Sequence, residues 1–568
     1  MSATSDAPSA PAAAAVEALV EALQLLDLSA DALGHVLFRL PDAEDIARAA
    51  PACKAFSAAA SHATKLRADA LPFPLEPLLK PMNPHLKPLE SKLHAVRWAE
   101  AALRPVHTIA ASNFHSHVIG YAGTLYTWGG DGEGGEEEGT IGPIGVGERR
   151  EPTLHPEEIV DPPDFRNLRS IVTAVNHSLC VDRDGNVWSW GSQLVKNGQL
   201  GQLDMKPRWR PAKILGLSKE REEAFQDVRL PRVLQAAGGD DFSLLLTATG
   251  EVRSFGINWV GQLGLGVSGK GKTRPHPLVS PPISGFDGRR VVEISAGSLH
   301  STAVDEAGGL WTWGHGEGGR LGLGLGCFSR HQGHNVVRSR PCRVMLLSRE
   351  RIVHANAGGE HTLAVTDQGQ LYAWGVNKHG QLGVGDFTNK ALPTLVTTFE
   401  QVTWTKIAAD PPMVYNVVPS PTPRVKQVSA GSGEHSVVLT EAGEVYTMGD
   451  GTKGQLGQGE YEPDGAKEYE AFADFAMGAD RPRLSRPRKV DARVFSNLDY
   501  GHTLDAKAIE VEAAYGHTLV KFDDGSIFSC GAGDDGATGH GDEDIRWELT
   551  QVEGVPRPRR ARAQKRAA

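Results

Sequence analysis

The sequence has few cysteines and no long apolar run. Its five cysteines show no Cys-x-x-Cys spacing, which argues against a zinc site or a disulfide framework and favours a reducing compartment. No stretch reaches the roughly 18 apolar residues of a membrane-spanning helix. The N-terminus lacks the basic start and apolar core of a secretory signal. We therefore expect an intracellular protein, cytoplasmic or nuclear, that does not enter a membrane.

The chain also lacks an excess of positive charge and the motifs of common enzymes. Its formal net charge is −10 and its pI is near 6.1, so nothing global predicts binding to nucleic acid. No HExxH zinc motif and no GxSxG nucleophile elbow occurs. A complete P-loop expression stands at 266–273, but a glycine turn precedes it and Arg274-Pro275 follows it, where a phosphate cradle needs a strand and a helix. The sequence predicts no catalytic residue, metal or cofactor.

A short pattern returns seven times with fixed internal spacing. Each copy begins at an anchor residue, with one glycine 8 residues later and a closing glycine 14 residues later. Self-similarity of this kind predicts stacked or radial units, none of which can bury its apolar face alone. The anchors are His115, His177, Phe242, His300, His361, His435 and His517, and the closing glycines are Gly129, Gly191, Gly256, Gly314, Gly375, Gly449 and Gly531.

Each copy is typical of a small antiparallel sheet. Two runs rich in β-branched and aromatic residues flank the first glycine, which suits a tight hairpin, most plainly at Asp184-Gly185 and Asp524-Gly525. A Gly-Gln-Leu-Gly turn follows in four copies. Tryptophans before the closing glycine are interpreted as packing residues. Seven such sheets in a row predict a closed ring.

The repeated histidines have the donor chemistry of metal ligands but not the arrangement. They are spread one per copy, whereas a metal site needs three or four donors that converge on one point. Buried polar groups must also find partners. The favoured interpretation is a buried histidine that ties its strand to a neighbouring backbone carbonyl.

The repeats resemble the regulator of chromosome condensation repeat. The resemblance rests on units such as Ala357-Gly-Gly-Glu-His-Thr-Leu-Ala-Val and Gly369-Gln-Leu-Tyr-Ala-Trp-Gly375, and it covers residues 105–556. It implies an all-β, seven-bladed propeller. The first copy departs through an acidic, glycine-rich insert at 131–142, and the third has Phe242 in place of histidine. The Gly-Trp-Arg-His-Thr motif through which some members of the family sense ultraviolet light is absent.

A different kind of sequence precedes the propeller. Residues 1–24 are rich in Ala, Ser and Pro, and we expect them to be disordered. Residues 25–70 predict a small all-α module with apolar residues at helical spacing. This segment resembles an F-box, which docks onto the Skp adaptor of SCF-type cullin–RING ubiquitin ligases, with Ser29 and Phe56 departing from the family's usual proline and tryptophan. An ordinary helical pair packed on the propeller is the alternative. The resemblance implies adaptor contacts at Leu28, Leu33, Val36, Leu37, Leu40, Pro41 and Ile46.

Two more segments flank the propeller, and its turns vary. Residues 71–104 indicate a proline-rich linker followed by a helix, which would be a semi-rigid spacer. Residues 557–568 form a basic tail that suits a nuclear-import signal, an anion-binding arm or a solvated end. Turn residues just ahead of the Gly-Gln-Leu-Gly elements differ between copies, and turns that vary on a repeated fold indicate protein recognition. The candidate substrate-contacting residues are Trp259, Lys378, His379 and Lys453.

Together these parts predict the substrate-recognition subunit of an SCF-type ubiquitin ligase. Its partners would be the Skp adaptor, the cullin and an unidentified protein substrate, and its contribution would be effective concentration without covalent chemistry. The alternative is a guanine-nucleotide exchange factor, or a scaffold propeller, acting on a Ran-like small GTPase. Exchange is the activity best known for this propeller, and it would need a protruding wedge loop.

Overall fold

The structure is a computed structural model that describes residues 107–130, 144–147, 152–192, 197–215, 230–269, 271–274, 276–279, 281–324, 336–406, 413–459, 483–490 and 506–557. The F-box-like module at 25–70, with the seven residues assigned to adaptor binding, lies outside the described residues. So do residues 1–24, the linker at 71–104 and the tail beyond Arg557. None of the helices in the described part of the chain has the length and apolar character needed to span a membrane.

Twenty-nine strands follow in chain order within the described residues. Blade 1 consists of β1 Ile109–Ala111, β2 His115–Ile119, β3 Leu125–Gly129 and β4 Thr153–Glu158. Blade 2 consists of β5 Leu168–Thr173, β6 His177–Asp182, β7 Val187–Gly191 and β8 Arg208–Lys213. Blade 3 consists of β9 Val233–Gly238, β10 Phe242–Thr247 and β11 Val252–Gly256. Blades 4 and 5 consist of β12 Val291–Ala296, β13 His300–Asp305, β14 Leu310–His315 and β15 Val337–Arg343; and β16 Ile352–Ala357, β17 His361–Thr366, β18 Leu371–Gly375 and β19 Lys390–Leu395. An inserted pair, β20 Phe399–Lys406 and β21 Met413–Ser420, precedes blades 6 and 7, which consist of β22 Val425–Ala430, β23 His435–Thr440, β24 Val445–Asp450 and β25 Arg483–Lys489; and β26 Ala508–Ala513, β27 His517–Phe522, β28 Ile527–Gly531 and β29 Arg546–Val552.

The blades form a closed ring, which confirms the seven-bladed all-β propeller. Within each blade the strands pair antiparallel in sequence order. The first strand of every blade contacts the first strands of both neighbours, and β26 of blade 7 contacts β1 of blade 1. The first strands therefore line the centre of the ring and the last strands form its rim.

The fourteen-residue spacing is explained by pairing across one hairpin. In all seven blades the anchor residue lies directly opposite the closing glycine, as His517 lies opposite Gly531. The closing glycine has a φ near +117° at Gly531, and a Cβ there would lie 2.5 Å from the Cα of His517. Only glycine suits both the backbone conformation and the close approach.

The ring has two faces, which we name after their turns. The anchor face carries the turns between first and second strands and the connections from third to fourth strands. The hairpin face carries the turns between second and third strands. Anchor residues begin their strands at the anchor face, so variation in the third-to-fourth connections is displayed there.

An inserted hairpin, which the repeat pattern does not predict, interrupts the repeat between blades 5 and 6. Strands β20 and β21 pair along their full length, and β20 joins β25 in parallel at Glu400 and Arg488. The Arg488 guanidinium contacts the Glu400 carboxylate at 3.0 Å, and Phe399 packs edge-on against Tyr446 at 5.3 Å between ring centroids. Because β25 runs toward the hairpin face, β20 leaves the blade on that side, extending about 20 Å by its residue rise.

Polar side chains line the central channel, which encloses a cavity of about 110 Å³. His354 and Glu293 join two first strands at 2.8 Å between Nδ1 and Oε1. Burial, with the nearby Glu510 carboxylate, raises the pKa of Glu512 to about 8, so this carboxyl group is largely protonated at neutral pH. The channel thus holds a carboxylic acid in its neutral form.

Candidate protein-binding face

The anchor histidines join neighbouring blades. In each of five joints, Nε2 of the histidine lies 2.8–3.0 Å from a hydroxyl on the second strand of the next blade. The sequence prediction of a buried structural role is confirmed, but the partner is a hydroxyl, not a backbone carbonyl. The joined pairs are His177–Ser243, His300–Thr362, His361–Ser436, His435–Thr518 and, closing the ring, His517–Ser116.

The direction of these hydrogen bonds identifies Nε2 of each histidine as a donor. Each of the five hydroxyls donates to a turn carbonyl of the preceding blade, as Ser436 Oγ does to Gln381 at 2.8 Å. The hydroxyl oxygen therefore accepts from Nε2–H of the histidine. Burial lowers the pKa of His361 to about 3 and of His435 to about 4, so both rings stay neutral at physiological pH.

Two joints depart from this arrangement. In blade 1 the role passes to His117, whose Nε2 lies 3.0 Å from Ser178 Oγ. Between blades 3 and 4 the fully buried Phe242 replaces histidine, and Ser301 donates to the carbonyl of Gln262 at 3.0 Å. Tryptophans reinforce several joints from the third strand, as Trp374 Nε1 donates to the Arg320 carbonyl at 3.0 Å.

All four residues predicted to contact a partner lie on the anchor face, in blades 3, 5 and 6. Trp259 is 51% exposed, and Lys378 is also exposed. His379 and Lys453 instead reach across to the next blade. The structure thus brings the four residues to one side of the ring without gathering them into one cluster.

His379 lies between two carboxylates on this face. Its Nε2 lies 2.6 Å from Glu434 Oε2 and its Nδ1 lies 3.5 Å from Asp450 Oδ1, both on blade 6. These two carboxylates, Asp450 foremost, raise the pKa of His379 to about 9. The imidazole is therefore a cation at neutral pH.

Lys453 repeats this arrangement one blade further on. Its ammonium lies 3.6 Å from Asp534 Oδ2 and 5.2 Å from the centre of the Tyr515 ring, a cation–π distance. Tyr515 is 45% exposed, so the contact stands at the surface. Charge and aromatic area are thus presented together on blades 6 and 7.

Sequence reasoning missed the partners of these cations and a third inter-blade pair. Arg320 of blade 4 is almost fully buried, and it contacts Glu360 of blade 5 at 2.9 Å. Two signals were present in the sequence. Arginine replaces glutamine in the Gly-Arg-Leu-Gly turn of blade 4, and glutamate directly precedes the anchor histidine at Glu360 and Glu434.

The described residues bring together no constellation for metal binding, since they contain no group of three metal-ligating side chains. The P-loop expression lies in an irregular connection after the turn at 261–264, and its described residues include no helix. A phosphate cradle of the P-loop type is therefore not formed there. What the anchor face offers is a rigid surface with charged and aromatic groups.

Comparison with known proteins indicates the family. The RCC1-like domain family matches residues 83–414, more than half of the chain, and the regulator of chromosome condensation (RCC1) repeat matches residues 425–455. The chain is 28% identical to the ultraviolet-B receptor UVR8 of Arabidopsis thaliana over 63% of this chain and 80% of that protein. It is 28% identical to the mouse secretion-regulating guanine nucleotide exchange factor over 79% of this chain and 82% of that protein.

A solved structure shares the fold. Prp20p from Saccharomyces cerevisiae, whose structure was described together with its binding properties to Gsp1p and histones, superposes with a TM-score of 0.52. The two chains are 23% identical, and the match covers 73% of this chain and 85% of Prp20p. At that identity the similarity establishes the propeller alone.

These findings correct the predicted function. The interpretation as the substrate-recognition subunit of an SCF-type ligase is wrong, because these relatives and the structural neighbour are RCC1-type proteins, among them an exchange factor. The predicted Skp adaptor and cullin partners are wrong for the same reason. The error arose because a short apolar helical pattern was given a partner that the rest of the chain does not support.

Proposed function

The chain belongs to the RCC1-like domain family, and on that premise we propose that it promotes guanine-nucleotide exchange on a Ran-like small GTPase, which it binds with its anchor face. The observation that carries the proposal is the charged and aromatic surface of the anchor face, where Trp259, Lys378, His379 and Lys453 are spread over blades 3, 5 and 6. The relative named as a guanine nucleotide exchange factor supports the reaction, because the match spans most of both chains. The F-box-like segment at 25–70 has no part in this proposal and stays a sequence prediction.

Exchange needs binding energy and no covalent chemistry. A protein that binds the nucleotide-free GTPase more tightly than the loaded GTPase must weaken nucleotide binding by the same factor. The anchor face suits this task because its charged groups are held at fixed spacing by the joints beneath them. Preorganised contacts lose little freedom when the partner binds.

The alternative is that the GTPase binds the hairpin face through the inserted hairpin, β20–β21. Exchange on this fold was expected to need a protruding wedge, and β20–β21 protrudes on the opposite, hairpin face. The assignment to the anchor face therefore predicts that the hairpin is dispensable for exchange.

The test is the release of a fluorescent GDP analogue from a purified Ran-like GTPase in the presence of the full chain. We expect accelerated release, and a loss of about tenfold or more in the second-order rate for the double variant Trp259→Ala/Lys453→Ala. Lys426→Ala, an exposed lysine of blade 6 away from that face, is the matched control and should leave release unchanged. No acceleration by the wild-type chain at any concentration would refute exchange. Loss on shortening β20–β21, with the anchor-face variants unaffected, would instead place the partner on the hairpin face.

A further inference from the structure

Three arginines occupy the same position on the outermost strands of blades 2, 4 and 6. Each guanidinium lies against a glycine of the preceding blade, where a Cβ would stand 2.6–3.3 Å from the arginine Nε. The backbone N–H of that glycine also donates to the carbonyl of the residue before the arginine. These contacts fix the three guanidinium groups at the rim of the ring. The pairs are Arg210 on Gly147, Arg340 on Gly266 and Arg486 on Gly385.

The three positions differ in how their charge is balanced. Arg210 pairs with Asp161, and Arg486 lies 3.3 Å from Glu400 of the inserted hairpin. Arg340 lies within ion-pair distance of no carboxylate among the described residues. Among the described residues, the same structural position is therefore neutralised in blades 2 and 6, whereas in blade 4 it has no carboxylate partner.

Further cations lie on the two segments that meet at Arg340, and the nearest acid along the blade 3 segment is Asp287, two residues after Gly285, which packs against Pro341. Arg338 and Arg343 lie on the same strand, β15, and Lys272 and Arg274 lie on the connection of blade 3 that packs against it through Gly266. No aspartate or glutamate occurs between Glu251 and Asp287 or between Glu317 and Glu350. This freedom from acids stands out in a chain whose net charge is −10. We call Arg338, Arg340, Lys272 and Arg274 the rim patch, and leave out Arg343, which lies opposite Trp311 at the other end of β15.

Exposed apolar side chains border the rim patch. Trp259 is 51% exposed and Val267 is 39% exposed. Gly261, two residues after Trp259, packs against Ser339 of β15, and the carbonyl of Val267 accepts a hydrogen bond from Asn258 beside Trp259. Cations and apolar surface thus meet at the joint between blades 3 and 4, the same joint whose anchor histidine is replaced by Phe242.

We propose that the rim patch binds an acidic protein segment that carries an apolar side chain. Guanidinium groups accept carboxylates in a two-pronged geometry, and Trp259 with Val267 supplies a contact for one apolar residue. A short acidic segment is favoured over a nucleic acid because a long polyanion would be repelled by the rest of this acidic surface. The interaction is separate from exchange, apart from Trp259, which borders both surfaces.

The test measures binding of a fluorescein-labelled Glu-Glu-Phe-Glu-Glu-Leu-Glu-Glu peptide to the full chain by fluorescence anisotropy. We expect Arg338→Gln/Arg340→Gln to weaken binding about tenfold or more, and binding to weaken with added salt. Arg210→Gln is the matched control, since it alters the same repeat position where the charge is already paired, and it should change affinity less than twofold. Lys272→Gln/Arg274→Gln serves as a second variant that leaves β15 intact. Thermal unfolding confirms that each variant is folded.

Three outcomes would overturn the proposal. The first is equal affinity of wild type and both patch variants. The second is an equal loss in Arg210→Gln. The third is tighter binding of a ten-residue oligothymidylate than of the peptide at physiological salt, which would identify a nucleic-acid surface. GDP release by Arg338→Gln/Arg340→Gln is expected to stay at the wild-type rate, so failure of the patch and failure of exchange are distinguishable.

Discussion

Two histidines of blade 5 contact blade 6 in opposite states. His361 lies within the joint, hydrogen-bonded to Ser436, and burial lowers its pKa to about 3. His379 lies on the anchor face between two carboxylates, which raise its pKa to about 9. Residue type is the same and the two blades are the same. The repeat therefore uses neutral, buried groups to hold the ring, whereas the anchor face displays charged groups.

The largest effect is expected where a steric clash disrupts the hairpin that positions an anchor histidine. Gly531→Ala would place a Cβ 2.3 Å from the Gly516 carbonyl oxygen, in addition to the strain of φ +117°. We expect a loss of at least about 3 kcal/mol in the free energy of unfolding, measured in urea.

Gly269→Ala is the matched control for that experiment. Gly269 has nearly the same φ, +116°, but a Cβ there meets nothing within 4 Å. The cost should be about 1 to 2 kcal/mol, from backbone strain alone. Equal losses in the two variants would show that the close contact between the closing glycine and the anchor residue does not matter.

The next effect compares a joint that has its histidine with the joint that lacks it. Ser436→Ala leaves His361 Nε2–H and the Gln381 carbonyl without their partner, so we expect a loss of about 2 kcal/mol. Ser301→Ala faces Phe242 and leaves a Gln262 carbonyl that still accepts from Trp313 at 2.9 Å, so the loss should be about 1 kcal/mol or less. Urea unfolding of both variants measures the two losses. A larger loss for Ser301→Ala than for Ser436→Ala would contradict the role assigned to the histidine in the joint.

The smallest effects lie in the pH dependence of stability. The pKa of His361 in the folded protein is below its ordinary value of 6.5. Its contribution to the free energy of unfolding is therefore complete above pH 6.5 and is lost as the pH falls toward 3. The folded pKa of His379 is raised, so its contribution is complete below pH 6.5 and is lost as pH rises through about 9. We expect His361→Gln to reduce the loss of unfolding free energy between pH 6.5 and 3. We expect His379→Gln to reduce the loss of unfolding free energy as the pH rises through about 9. Urea unfolding across this pH range measures both effects.

Glu512 offers a third titration of the same kind in the channel. Because its folded pKa is raised to about 8, its contribution is present below its ordinary pKa of 4.5 and is lost as pH rises through 8. Glu512→Gln should therefore raise the unfolding midpoint at pH 8.5 relative to wild type and change it little at pH 5. Equal midpoints at pH 8.5 would show that the channel carboxylate is already ionised without cost.

The sequence allowed the fold to be predicted because its signal is local. The anchor and closing glycine pair across one hairpin, so their fixed spacing is a direct record of strand register. For the joints, the buried structural role of the histidines was predicted but their hydroxyl partners were not. Each hydroxyl comes from the next blade, 61 to 83 residues further along the chain except at the closure of the ring. The carboxylates beside His379 and Lys453 are likewise brought there by neighbouring blades. The function was mispredicted because it was inferred from a segment outside the ring.

The most direct test of the central claim, that joints hold the ring while the anchor face acts, measures unfolding midpoint and GDP release on the same two variants. Ser436→Ala should lower the midpoint and leave GDP release from the GTPase at the wild-type rate under conditions where it is folded. Lys453→Glu, which places a second acidic group beside Asp534 and Tyr515, should lower the midpoint much less than Ser436→Ala does and reduce release about tenfold or more. Release lost in the folded Ser436→Ala chain, or retained in Lys453→Glu, would contradict the separation.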